Sequence, residues 1–231
     1  KCTFITQNKE VKRLLGEKGI PCEMISEFAL FEKLLKKLEK QSGEAARVGI
    51  WLMQEDGRLL GVALCVSEKE VYFYAPMRRA ETIGQLSLFD APVEEADETE
   101  IVRRALKSLS ARVRLATFDI KKEYAYLAQD STRRYFDILI GAYLLNPLKS
   151  DYDIESIASE HLGEILPGTA EVFGKRKVSE VLAEEPGKCA EFYGRGAYVS
   201  WKAAGVLATH VSAQELHQLQ NHQQPLSWQI T

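Results

Sequence analysis

The chain has 231 residues, 45% hydrophobic and 27% charged, with 30 Lys and Arg set against 33 Asp and Glu. A chain of this length buries a core without disulfide staples, and a net charge of −3 excludes a uniformly basic binder while leaving room for a local basic face. No run of about 18 apolar residues is present, which excludes a membrane-spanning helix. The opening Lys1-Cys2-Thr3-Phe4-Ile5 lacks the apolar stretch and cleavage site of a signal peptide. Four cysteines, Cys2, Cys22, Cys65 and Cys189, follow neither metal-ligand nor disulfide-framework spacing, so reduced thiols and a cytoplasmic setting are expected.

Residues 1–25 carry Gly16, Gly19 and Pro21 as breakers and read as a linker with a short helix over 10–16. Ser26 precedes Phe28, Leu30, Phe31, Leu34, Leu35 and Leu38, the periodicity of an amphipathic helix behind an N-cap residue, ending near Ser42-Gly43. Three strand-like runs come next, over 47–53, 58–66 and 70–75. Asp56-Gly57 supplies a hairpin turn and Ser67-Glu68-Lys69 a second turn, giving an antiparallel meander. Residues 77–96 read as a loop ending in acids. Asp97 and Glu100 form a capping box ahead of a helix that presents Val102, Leu106, Leu109 and Val113. Acids at 94, 95, 97, 98 and 100 precede bases at 103, 104, 107, 112 and 114, the order the helix dipole favours, so a solvated helix explains them more simply than a nucleic-acid patch. A fourth strand is expected over 113–118, a helix over 120–129, an apolar segment over 135–145, and helices over 154–162, 178–184 and 187–207. The whole reads as an α/β sheet flanked by helices. Residues 208–231 change character, with six glutamines, three histidines and Glu215 as the single acid.

From about Glu23 to Leu207 the order of elements and several strings resemble the 3′–5′ exonuclease domain of bacterial family A DNA polymerases, the DNA polymerase I family. The strings are Tyr135-Phe136-Asp137 through Tyr143-Leu144-Leu145-Asn146-Pro147, then Tyr152-Asp153-Ile154 through Ala158, His161-Leu162-Gly163, and the basic Phe173-Gly174-Lys175-Arg176-Lys177. The resemblance implies a ribonuclease H-like fold with a mixed five-stranded sheet, the meander plus parallel strands, flanked by helices. It implies a linker from an upstream 5′-nuclease region over 1–25, the exonuclease-like domain over 26–207, and the start of a polymerase domain over 208–231. The implied partners are DNA, met through the full-length polymerase, and the rest of that chain, with no membrane and a cytoplasmic, nucleoid-associated location.

The family's proofreading site needs four carboxylates to hold two divalent metals, which clamp the attacking and leaving oxygens of phosphodiester hydrolysis. Where the family carries Asp-x-Glu on its first strand, this sequence has Trp51-Leu52-Met53, and neither an indole nor a thioether binds magnesium. The second motif falls on 119–123, where Glu123 stands for an aspartate. The third, Tyr-x-x-x-Asp, falls on 192–196: the hydroxyl position is Phe192, or shifts to Tyr193, and the carboxylate position is Gly196. Positions 51, 53, 123, 192 and 196 therefore read as a degenerate site with no catalytic residue, no metal and no cofactor. Asp119, Glu123 and Asp137 are the carboxylates that could still cluster there, but Asp137 corresponds to a residue that is not a metal ligand and is expected to cap a helix. His217 and His222, five apart, imply no zinc site. Gly194-Arg195-Gly196 lies within a helical pattern and is no dinucleotide fingerprint, and Lys175-Arg176-Lys177 lacks phosphate-loop spacing and reads as an exposed basic turn.

In the loop, Gln85-Leu86-Ser87-Leu88-Phe89 closely matches the pentapeptide by which bacterial polymerases dock on the sliding clamp. The expected clamp-binding residues are Gln85, Leu86, Leu88 and Phe89: Leu88 and Phe89 would fill an apolar pocket while the Gln85 amide bonds at its rim. The expected function is a catalytically inactive exonuclease-like domain, a structural spacer that also docks on the clamp. The competing readings are a working exonuclease with displaced ligands and a nucleic-acid-binding module that does not cleave.

Overall fold

The computed structural model describes residues 21–40, 47–76, 98–128 and 134–211. The helix expected over 10–16, the pentapeptide at Gln85, Leu86, Leu88 and Phe89, the cap at Asp97 and the tail beyond 211 lie outside the described residues.

In chain order the elements are β1 (Cys22–Ile25), α1 (Phe28–Lys40), β2 (Arg47–Glu55), β3 (Arg58–Ser67), β4 (Glu70–Tyr74), α2 (Glu98–Ser110) and β5 (Arg114–Thr117). They continue with α3 (Ile120–Glu123), β6 (Tyr135–Asp137), α4 (Ile138–Leu145), α5 (Ile154–Ile157), α6 (Thr169–Phe173), α7 (Val178–Glu184) and α8 (Pro186–His210). The strands form one sheet in the order β1-β4-β3-β2-β5-β6. The meander β2-β3-β4 is antiparallel, β5 and β6 run parallel beside β2, and β1 pairs parallel to β4 at the other edge.

Among the described residues, six strands stand where five were expected. The additional edge strand, β1, comes from the segment read as linker. Four residues directly behind Pro21 carry no measurable period; β1 exists because β4 offers it a ladder, with Cys22 opposite Val71 and Ile25 opposite Tyr74. Other departures have equally local causes. The first helix starts at Phe28, because Leu30 and Phe31 donate to the Glu27 carbonyl, so Glu27 and not Ser26 occupies the N-cap. The helix expected over 120–129 is a single turn, α3, closed by a 3-10 turn at Tyr124–Tyr126. The apolar run 135–145 divides into β6 and α4, and α5 continues as a π-helical turn over Ala158–Leu162 that ends at Gly163 in the left-handed region.

Alternation along β2 sorts two cores. Val48, Ile50 and Leu52 face α1 and α2, meeting Phe31, Leu35 and Leu38 of one helix and Val102, Leu106 and Leu109 of the other. Trp51 and Met53 face α8. That helix lies so close to β2 that a Cβ added at Gly49 would stand 2.7 Å from Cβ of Trp201. The meander turn is a two-residue hairpin in which Asp56 and Gly57 both take positive φ, 51° and 73°, the geometry that matches the twist of its strands. Just before it the register slips: Met53 pairs with Gly61 but Gln54 with Leu59. Such a bulge bends the strand and re-aims the side chains beyond it, and Glu55 thereby reaches the start of α7. There it accepts from the Val178 N–H at 2.7 Å, the Ser179 N–H at 3.3 Å and the Ser179 hydroxyl. Burial alone would raise the Glu55 pKa, but these hydrogen bonds outweigh it and hold the carboxyl below its ordinary value.

Among the described residues no helix is long and apolar enough to cross a membrane. Cys22, Cys65 and Cys189 are free and buried, and burial pushes each thiol up to about 12, so none is a ready nucleophile at neutral pH.

Candidate functional site

The motif positions converge from three elements. β2 delivers position 51 to the α8 side of the sheet, the long helix α8 delivers 192, 193 and 196, and the single turn α3 delivers 123. Alternation on the strand and the four-residue period of the helix are what let 51 meet both 192 and 196.

The side chains that meet there are apolar. The Trp51 indole lies 5.4 Å from the Phe192 ring and 5.3 Å from the Tyr193 ring, centroid to centroid. Phe173 of α6 closes edge-on against Phe192 at 5.0 Å. Under the indole sits Gly196: a Cβ there would overlap the Cε3–Cζ3 edge of the six-membered ring, and even the next atom, Cδ2, is 2.6 Å away. An aspartate at 196 and a tryptophan at 51 therefore cannot share this backbone. Met53, one pleat further on, is wholly buried in the core beneath and does not line the cleft.

Glu123 is the one motif position that keeps a carboxylate, and it is 1% exposed. One oxygen accepts the Leu52 N–H of β2 at 2.8 Å; the other is bonded to the Thr117 hydroxyl at the end of β5. Burial pushes its pKa up to about 8, against the two hydrogen bonds, and Asp137 and Asp119 nearby push the same way. At neutral pH Glu123 is thus chiefly a neutral acid that ties β2 to β5, the protonated state that desolvation favours.

The other two acids hold backbone. Asp137, 2% exposed, accepts from Asp119 and Ile120 at 3.3 and 2.9 Å and from Leu139 and Ile140 at 3.0 and 3.5 Å. It caps α3 and α4 together, in keeping with its place before an apolar helix, and burial raises its pKa in spite of those four bonds. Asp119 sits at φ 57° and pairs with Lys122 at 3.2 Å. Among the described residues no group of three or more His, Cys, Asp or Glu is placed to hold a metal ion.

The remaining cleft, about 500 Å³, opens between the β2–β3 hairpin and the starts of α5 and α6; Trp51, Phe118, Phe192 and Tyr193 form its apolar wall, Gln54, Glu55 and Lys122 its polar one. Two metals do not fit these residues. The indole occupies the ring-sized space against Gly196, and both oxygens of Glu123 are engaged with the protein.

Sequence reasoning missed Thr117, which carries no motif signal, and Glu55 and Asp153. Glu55 caps α7 from a distant strand, while Asp153 caps α5 by accepting the Ser156 N–H at 2.6 Å, a local pattern that could have been read. The basic turn is partly self-neutralised, since Arg176 pairs with Glu184 and with Glu185. Arg195, between the two glycines, is a buried helical residue paired with Glu164 at 3.5 Å.

The family model described as "DNA polymerase I, ribonuclease H-like domain" matches residues 68–189, more than half of the chain. No curated protein matches. Among solved structures, the POL domain of Pol1 from M. smegmatis, in complex with DNA primer-template and dNTP, is similar at 15% identity with a TM-score of 0.46, covering 80% of this chain and 26% of that one. The catalytic core of RRP6 from Trypanosoma brucei is similar at 8% identity with a TM-score of 0.46, covering 94% of this chain and 57% of that one. The chain thus spans a minor part of the first of these proteins and just over half of the second.

Proposed function

The chain belongs to the DNA polymerase I ribonuclease H-like domain family, and we propose that within it this domain keeps the exonuclease fold without the exonuclease chemistry. It serves a DNA polymerase in replication and repair as a spacer, in the cytoplasm, and meets DNA through the polymerase chain of which it is a part. The observation that carries this reading is the packing of Trp51 on Gly196. The loss of one ligand could be repaired by a neighbouring carboxylate, but an indole filling the space of another ligand's side chain makes the two replacements depend on each other. The doubly bonded Glu123 supports the same reading, because both of its oxygens are engaged with the protein.

The test is a trimming assay on the 231-residue chain with end-labelled single-stranded DNA, in magnesium and in manganese. The reading predicts the same product ladder with metal as with chelator. Metal-dependent shortening that Glu123→Gln abolishes would restore the working exonuclease with displaced ligands.

Docking on the sliding clamp through Gln85, Leu86, Leu88 and Phe89 is the second half of the proposal. Its support is the pentapeptide itself and the bond from the Tyr74 hydroxyl to the Glu98 carboxylate, which joins the two described residues near the ends of the intervening segment. Replacing Leu88 and Phe89 by alanine should remove clamp binding in a surface-binding assay; unchanged affinity refutes it.

A further inference from the structure

Away from the cleft, at the N-terminal ends of the parallel strands, arginines stand level with one another. Arg47 begins β2 and is the register partner of Arg114, which begins β5. Arg134 immediately precedes Tyr135, the partner of Leu115, and so stands beside Arg114 at the head of β6. Neighbouring strands are about 4.8 Å apart, so the three arginines form a row about 10 Å long across one end of the sheet. Arg112 lies on the turn leading into β5.

Among the described residues, backbone carbonyls and an aromatic ring hold two members of this row. Arg47 donates from Nε to the Trp201 carbonyl at 2.8 Å and lies over the Trp201 ring, 5.1 Å from its centroid. Burial lowers its pKa, and no carboxylate among the described residues contributes in the opposite direction. Arg134 donates to the Arg112 carbonyl at 3.1 Å. Arg112 itself pairs with Glu39 at 2.9 Å. Arg114 and Arg134 are exposed, whereas Arg47 is half-buried and held in one orientation by Trp201.

We infer that this row is a docking surface for the phosphodiester backbone of DNA, distinct from the old cleft. A linear row of guanidinium forks suits a linear polyanion, since each fork matches a phosphate bidentately. Trp201 and the close-packed Gly205 of α8 pre-orient the first fork, and an incoming phosphate supplies an anion to half-buried Arg47. The cleft lies toward the other ends of the same strands, four or more residues along β2 and so about 13 Å away. The surface therefore does not depend on whether the cleft is dead.

The test is fluorescence anisotropy of the 231-residue chain with a labelled DNA duplex between about 50 and 200 mM salt. Three phosphate contacts predict a slope of log affinity against log salt of about −2.7. Arg114→Gln with Arg134→Gln should weaken binding more than about tenfold and flatten the slope by about 1.8, while Lys122→Gln at the cleft should change neither. Arg134→Lys, which keeps charge and removes the fork, should give an intermediate loss, and circular dichroism checks that each variant is folded. Equal affinity and slope for the double arginine variant overturn the assignment. So does displacement of the duplex by polyglutamate as readily as by unlabelled DNA, which would mark a surface for acidic protein instead.

Discussion

Replacing Gly196 by alanine separates a filled site from an open one by the sign of its effect. In the middle of a helix, Gly→Ala gains about 1 kcal/mol from backbone entropy when nothing opposes the new methyl. Here the methyl would overlap the edge of the Trp51 ring, with Cδ2 at 2.6 Å as the third-nearest atom, and real Cβ contacts essentially never come under 3.0 Å. The obstacle is a stiff ring held between Phe192 and Tyr193, not the end of a flexible chain. Overpacking of this kind costs about 3 kcal/mol, so Gly196→Ala should destabilise the chain by about 2 kcal/mol net. Trp51→Ala removes the obstacle at its own cost, about 3 kcal/mol for a half-buried aromatic. In that background Gly196→Ala should regain its favourable sign, giving a coupling of about 3 kcal/mol in a double-mutant cycle. The assay is urea denaturation followed by circular dichroism, with equal slopes as the check that the states compared are the same. Stabilisation by Gly196→Ala alone, or additivity of the two substitutions within about 0.5 kcal/mol, would refute the packing argument.

The buried acids make two further predictions. Glu123 holds its proton in the folded chain up to about pH 8, while the unfolded chain releases it near 4.5. Stability should therefore fall as pH rises through that window, by at most about 1.4 kcal/mol per unit. Glu123→Gln preserves both hydrogen bonds, with the amide oxygen on Leu52 and the amide N–H on Thr117. It should leave the urea midpoint near about pH 5 unchanged and raise it at about pH 8; a lower midpoint at the higher pH would show that the charged carboxylate is the stable form. Asp137→Ala removes the acceptor of four backbone N–H groups at two helix starts, one of them buried and three part-buried, and should cost about 3 kcal/mol in the same assay. A loss under about 1 kcal/mol would mean that water replaces the carboxylate.

The elements that showed clearly in the sequence are those with a long period or a local turn signal. α1 and α2 carry runs whose apolar spacing leaves one choice of face, the meander and α8 carry long apolar runs, and Asp56-Gly57 marks the meander's hairpin. β1 and β6, at four and three residues, are too short to show a period and form because a neighbouring strand supplies their ladders. At the candidate site, residues 51, 53, 123, 192 and 196 all stood out by their motif positions. Their joint arrangement was not visible there. That Trp51 rests on Gly196, that Met53 drops out of the cleft and that Glu123 is bonded from both sides are three-dimensional facts. Thr117 and Glu55 show the same boundary from the other side: each reaches a partner set by the fold, Glu55 across more than a hundred residues of chain.

The central claim concerns metal, and manganese binding tests it most directly. Titration of the chain with Mn²⁺, followed by the loss of the free-ion paramagnetic signal, should show only weak, non-stoichiometric uptake that Glu123→Gln does not alter. Two saturable sites per chain, lost in Glu123→Gln, would mean that the indole moves aside and that the exonuclease centre still assembles.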